Sequence, residues 1–189
     1  MELSIEGFTP PDIALLMKNV YYFSEPVDTE ATTPIVCWIL SQNMLPRKDR
    51  PKYLHLIVNS PGGNLYDCFA LIDVMRGSSI PIYTTGLGLV ASCGLLLFMA
   101  GEKGHRVLTP NTSILSHQYS GGAIGKEHEL VAAQKQNELT TDRMVDLYKK
   151  CTGLSLKKIR EILLPESDMW LSAKEAVAYG IADKVKELK

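Results

Sequence analysis

Gly86-Leu87-Gly88-Leu89-Val90-Ala91-Ser92-Cys93-Gly94-Leu95-Leu96-Leu97-Phe98-Met99-Ala100-Gly101 is the stretch whose reading decides the fold. Its first half is punctuated by glycines and reads as a turn. Its second half carries no charge and predicts a helix buried on all sides. Ser92 stands where the one becomes the other. A hydroxyl at the first turn of such a helix has free backbone N–H groups around it and the positive end of the helix dipole beneath it. That suits a nucleophile whose attack creates an oxyanion. The plainer reading is a helix cap.

Immediately upstream, residues 53–59 (Tyr-Leu-His-Leu-Ile-Val-Asn) are almost continuously apolar, the pattern of a parallel strand covered on both faces. They run into Ser60-Pro61-Gly62-Gly63-Asn64 and then a helix over about 65–76, with Phe69, Ile72 and Met75 on one face. Residues 80–85 form a second strand that feeds the Ser92 turn. Strand, glycine turn and helix, twice over, predict an α/β fold with a largely parallel sheet. Function collects at the carboxyl ends of such strands, so the two glycine turns are expected side by side.

Farther out the signals are shorter. Residues 1–17 read as an arm broken by Pro10-Pro11, and 19–23 as a strand. Asp28 or Thr33 caps a helix reaching Met44, with Pro34 expected in its first turn. Two short strands flank Thr109-Pro110-Asn111, at 106–108 and 113–117. Residues 118–125 are glycine-rich and read as an extended arm before a long polar helix over 126–151. Its apolar stripe (Leu130, Ala133, Met144, Leu147) is sparse enough to call for a partner chain. Ser155 caps a short helix ended by Pro165, Ser172-Ala173-Lys174-Glu175 is a capping box, and 181–185 is a last strand. A single domain spanning 1–189 is expected.

The net charge of −1 gives no reason to expect nucleic acid or an anionic membrane as partner. The apolar run is too short to span a bilayer, and the first residues lack a basic n-region, so no signal peptide is expected. Cys37, Cys68, Cys93 and Cys151 are scattered without a C-x-x-C pair, which suggests neither a zinc site nor a disulfide framework. A reducing, cytoplasmic setting follows as the default.

A serine nucleophile needs a base, a group that orients the base, and donors aimed at the oxyanion. The N–H groups of Gly63 and Cys93 could supply the donors. Taken alone, Ser60-Pro61-Gly62-Gly63 is an ordinary tight turn; it is neither a Walker loop nor a dinucleotide turn, and Ser92 lies outside any G-x-S-x-G. Among His55, His105, His117 and His128 the spacing does not choose, though His117 is best placed, ending a strand beside the glycine-rich segment. Asp168 is distinctive among the carboxylates only in lying between Pro165 and Met169-Trp170.

The ordered set Asn59-Ser60-Pro61-Gly62-Gly63, Ala91-Ser92-Cys93-Gly94, Pro110-Asn111, His117-Gln118, Gly121-Gly122 and Asp168-x-x-Leu171-Ser172-Ala173-x-Glu175-Ala176 resembles the ClpP proteolytic subunits of Clp proteases, over roughly residues 18–185. The resemblance implies Ser92 as nucleophile, His117 as general base and Asp168 as orienting acid, with an oxyanion hole from the N–H groups of Gly63 and Cys93. It implies a crotonase/ClpP-like ββα spiral with a protruding handle (strand plus long helix, about 118–152). It implies seven-membered rings paired as a tetradecamer, in which an AAA+ unfoldase feeds unfolded chains to a serine endopeptidase. No metal and no cofactor is expected on the subunit, ATP being used only by the partner ATPase.

Four departures stand out. Fewer residues than usual precede the first strand, which implies a shortened axial loop. His55 and Ile57 replace aromatics of the ATPase docking pocket, Ser167 replaces an arginine tied to ring pairing, and Cys93 replaces a methionine. Alternatives are a dedicated processing peptidase, as in viral shell maturation, a non-catalytic ring subunit, and an acyl-CoA hydratase or isomerase on the same spiral.

Overall fold

In the computed structural model, residues 10–188 are described. The expected arm over 1–17 lies outside them as far as residue 9. Its remainder is a helix, α1 (Pro10–Leu16). The prolines taken for breakers fall in the first turn, where a missing N–H is no loss.

The chain continues through β1 (Val20–Phe23), α2 (Thr29–Met44), β2 (Leu54–Ser60), α3 (Leu65–Gly77), β3 (Ile82–Ala91), α4 (Cys93–Met99), β4 (Arg106–Leu108) and β5 (Ser113–Ser116). It ends with α5 (Glu127–Thr152), α6 (Leu156–Lys158), a π-turn over Ile159–Leu163, β6 (Met169–Ser172), α7 (Ala173–Ala178) and β7 (Lys184–Val185). The sheet runs β1-β2-β3-β4-β7, all parallel, and β5 leaves β3 to pair antiparallel with β6. The α/β class and the parallel sheet expected from the sequence are present.

The decisive correction concerns β3. The glycine-rich half of the opening stretch is not a turn: β3 runs through it to Ala91. It bends instead. Its register against β2 shifts between Val58↔Gly86 and Ser60↔Val90. Gly88 takes a left-handed φ of 64°, and the Asn59 side chain accepts the Leu89 N–H at 3.0 Å, plugging the bulge. Before the bend β3 pairs with β4 through Thr84–Gly86; after it, with β5 through Leu89–Ala91. One strand thus serves two neighbours, and its far end delivers Ser92.

The helix after Ser92 is as expected, every residue from Cys93 to Met99 being buried. It packs among Ile35, Ile39, Leu54, Leu56, Leu71 and Leu108. Each such side chain contributes about 1.5–3 kcal/mol on leaving water. β2 is less enclosed than its composition suggests: Leu54, Leu56 and Val58 face the core, whereas His55 and Ile57 are half-buried on the outer face. Asp28, not Thr33, caps α2, accepting the Ala31 N–H at 2.8 Å, and Pro34 lies inside the helix, beyond its first turn.

α5 is divided. From Thr140 to Cys151 one face is buried through Met144, Val145, Leu147 and Tyr148, while Leu130, Val131 and Leu139 are exposed. No strand forms over 118–125, so the expected strand-plus-helix handle is here helix alone. An extended arm joins a ladder only where another strand offers its edge. β6, by contrast, was not expected. It depends on distant pairing with β5, and its register sets Ser116 opposite Met169.

Candidate active site

Ser92 occupies the capping position of α4, yet its side chain caps nothing. Its backbone has φ 52° and ψ −122°, a conformation that costs a non-glycine residue about 1–3 kcal/mol. Both sides of the residue hold it there. Its N–H donates to the Leu115 carbonyl at 3.0 Å, and its own carbonyl accepts the N–H groups of Leu95 and Leu96 at 2.9 and 3.1 Å. The plain capping reading therefore fails, and a strained strand-to-helix elbow takes its place.

The other glycine turn lies against this elbow, as expected. A Cβ on Gly62 would stand 2.6 Å from Ser92 Cβ, and Gly62 has a φ of 92°, so this position takes glycine on two grounds. The loop is pinned by residues whose part no local pattern announces. Val27 N–H donates to the Gly62 carbonyl at 2.9 Å, and Asn64 N–H donates to the Val27 carbonyl at 2.6 Å. Ser60 Oγ donates to the Glu25 carbonyl at 2.6 Å, and Asn64 caps α3 through the N–H groups of Tyr66 and Asp67. Because a trans peptide points its N–H opposite its carbonyl, the Gly63 N–H faces away from Val27. Among the described residues, neither Gly63 N–H nor Cys93 N–H has an oxygen acceptor, and both bear on the Cys93 sulfur.

His117 follows the last residue of β5, and Asp168 precedes the first residue of β6, so the antiparallel register brings them together. His117 Nδ1 lies 3.4 Å from Asp168 Oδ1, longer than a strong hydrogen bond. The Asp168 side chain is 60% exposed and that of His117 29%. The other ring nitrogen, Nε2, is buried and has no hydrogen-bond partner. A buried polar atom in that condition costs energy unless something is meant to meet it.

His117 is held from behind. Tyr148 of α5 and Ser116 share a buried hydrogen bond of 2.6 Å, and Ser116 Oγ donates on to the Leu163 carbonyl. Burial pushes the Tyr148 phenol far up, so it stays a neutral donor. Gln118 Nε2 donates to the carbonyls of Leu164 and Pro165, both at 3.0 Å, tying the strand end to the loop that carries Asp168.

Ser92 and His117 line one cleft of about 360 Å³ with Gly63, Tyr66, Tyr119 and Thr140. The remaining histidines lie elsewhere. His55 Nε2 pairs with Thr85 Oγ1 at 2.8 Å, and burial lowers its pKa. His105 stacks on Tyr83, and His128 is exposed on α5. Of the sequence candidates the structure therefore gathers Ser92, His117, Asp168, Gly63 and Cys93. It adds Val27, Asn64, Ser116, Gln118 and Tyr148 as their supports. Among the described residues no cluster of three or more His, Cys, Asp or Glu could hold a metal, and no helix is long and apolar enough to cross a membrane. An activatable hydroxyl, an imidazole backed by a carboxylate and two N–H donors without an oxygen acceptor are the equipment of acyl transfer.

The sequence profile of the Clp protease family matches residues 12–189. The ATP-dependent Clp protease proteolytic subunit of Deinococcus radiodurans is 33% identical over 171 residues, covering 90% of this chain and 81% of that relative.

Proposed function

The chain belongs to the Clp protease family and is a serine-type endopeptidase; from that premise we propose that Ser92 is its nucleophile, His117 its general base and Asp168 the acid that orients the base. The observation that carries this reading is the strained Ser92 elbow, with N–H donors at Gly63 and Cys93 that no oxygen occupies, in one cleft with a buried and unpartnered His117 Nε2. His117 Nε2 takes the Ser92 proton as Oγ attacks the scissile carbonyl. The Gly63 and Cys93 N–H groups receive the oxyanion, and the imidazolium formed is stabilised by Asp168 through Nδ1. Nε2 then passes its proton to the leaving amine. Water attacks the acyl-enzyme by the same route in reverse. None of these steps calls for a metal or an organic cofactor.

The assembly proposed is a homo-oligomeric chamber of seven-membered rings, paired as a tetradecamer and fed with unfolded chains by an AAA+ unfoldase in the cytoplasm. The exposed Ile124, Leu130 and Val131 support self-association, since a lone chain leaves them in water. The relative's designation as ATP-dependent supports the ATPase. A dedicated processing peptidase is the second reading, favoured by the outward-facing His55 and Ile57 where docking aromatics are usual.

Fluorophosphonate labelling followed by intact mass and peptide mapping tests the mechanism. One adduct, on Ser92, is expected, with a loss of at least about 10⁴-fold in peptide hydrolysis for Ser92→Ala. Hydrolysis surviving in Ser92→Ala sinks the proposal.

A further inference from the structure

The Cys93 side chain has surroundings that its backbone role does not use. Its thiol donates to the Gly63 carbonyl at 3.1 Å and has the Ser92 hydroxyl as a further hydrogen-bond partner. From the neighbouring helix α3, Cys68 directs its thiol at the Cys93 carbonyl, 3.5 Å away, so the two cysteine side chains lie together. Two free thiols thus lie buried beside the turn that carries Ser92. The other two cysteines differ: Cys37 is exposed, and Cys151 lies beside Arg76, at 3.5 Å.

We propose that Cys68 and Cys93 form an oxidisable dithiol that reacts with hydrogen peroxide, closes to a disulfide and disables the oxyanion hole beside Ser92. The two thiols are not equivalent. The Cys68 thiol, helped by the Gly63 N–H and the Ser92 hydroxyl, holds Cys93 below the ordinary cysteine value against the opposing effect of burial. Burial drives Cys68 well above it. Cys93 is therefore the attacking sulfur and Cys68 the resolving one. The Cys93 thiolate attacks one peroxide oxygen and the O–O bond breaks. The departing hydroxide takes the thiol proton, leaving Cys93 as a sulfenic acid and releasing water. Cys68 sulfur then attacks the Cys93 sulfur, the S–O bond breaks, and the hydroxide leaves with the Cys68 proton as a second water. Two thiols lose two electrons and one peroxide becomes two waters.

Both thiols are buried, and the half-exposed Ser92 lies between Cys93 and the open cleft. That route admits an oxidant of near-water size and excludes a bulky one such as glutathione disulfide. To bond to Cys68, the Cys93 sulfur must release the Gly63 carbonyl and the Ser92 hydroxyl. This loosens the contact that holds the two donor-bearing turns together.

The effect on activity rests on the Ser92 reading, whereas the bond itself does not, so the two are read separately. Full-length protein carrying Cys37→Ser is treated with hydrogen peroxide, alkylated and mapped, with Ser92 labelling by a fluorophosphonate followed in parallel. Expected are a mass loss of about 2 Da in a peptide joining Cys68 to Cys93 and a fall of about tenfold in labelling rate, both reversed by dithiothreitol. Glutathione disulfide should do neither. Cys68→Ala should label normally when reduced, form no cross-link and lose the reversible fall in labelling under peroxide. Three results overturn the proposal: no Cys68–Cys93 cross-link, a cross-link with undiminished labelling, or the same reversible loss in Cys68→Ala. Reduced protein that never labels at Ser92 instead refutes the serine mechanism, and the mass of the cross-linked peptide still decides the dithiol.

Discussion

The two halves of the proposed active site are built to different tolerances. On the nucleophile side, Ser92 is gripped by Leu115, Leu95 and Leu96, and the glycine loop opposite is gripped by Val27, Ser60 and Asn64. Apart from the bond from Ser92 N–H to Leu115 of β5, that half hangs on the central strands β2 and β3 and the buried helix α4. On the base side, the His117–Asp168 contact is 3.4 Å, the acid is mostly in water, and the supporting strands β5 and β6 are four residues each. The lesson is that the proposed oxyanion hole is prepared by the fold, while the proposed base and acid are delivered by an edge. Whatever packs on that edge, including α5 and the arm after His117, therefore has leverage over the second half and reaches the first only through the Leu115 bond.

The largest disruption of this contrast is expected from Gly62→Ala. A methyl group there overlaps Ser92 Cβ and forces an alanine to a φ of 92°. Stability should fall by about 2–4 kcal/mol, and Ser92 labelling by about a thousandfold, since both elbow and donors must shift. A thermal melt and labelling kinetics report the two, and labelling near the wild-type rate would show that the first half is not rigid. Asp168→Asn comes next. With an exposed acid at the end of a long contact, hydrolysis should fall about a hundredfold, with the melting temperature moving by less than about 1 °C. A loss as deep as that of Ser92→Ala would mean that the acid is as firmly placed as the nucleophile. Tyr148→Phe is the smallest. It removes one buried hydroxyl behind Ser116, costing about 1–2 kcal/mol in a melt and about fivefold in kcat with KM unchanged. A change in KM instead would place the effect in the cleft wall rather than in the pose of His117.

The same division explains what was legible in the sequence. β2, α3, the buried α4 and the short β4 carry their signals locally, in apolar runs and flanking glycines. The side-by-side placement of the two turns followed from the parallel order alone. β3 was cut short because Gly86 and Gly88 look like a turn, and only pairing with β5 shows that the strand resumes beyond them. β6 has four residues, one an exposed tryptophan, and exists through a partner more than fifty positions away. Ser92, His117 and Asp168 were named through the ordered motif set, since spacing alone left four histidines open. Val27 and Tyr148 were beyond reach, because a backbone bridge and a hydroxyl behind a strand leave no pattern in one sequence.

The positive φ of Ser92 has a consequence for descent. Folding works against any side chain at this position, and glycine alone would relax it. On its proposed role as nucleophile, serine persists here only while hydrolysis is selected. In a lineage freed of that demand, drift runs toward glycine at position 92, with a gain in stability as it goes. A silent descendant of this chain would then carry its history in the elbow, before any change reached His117 or Asp168.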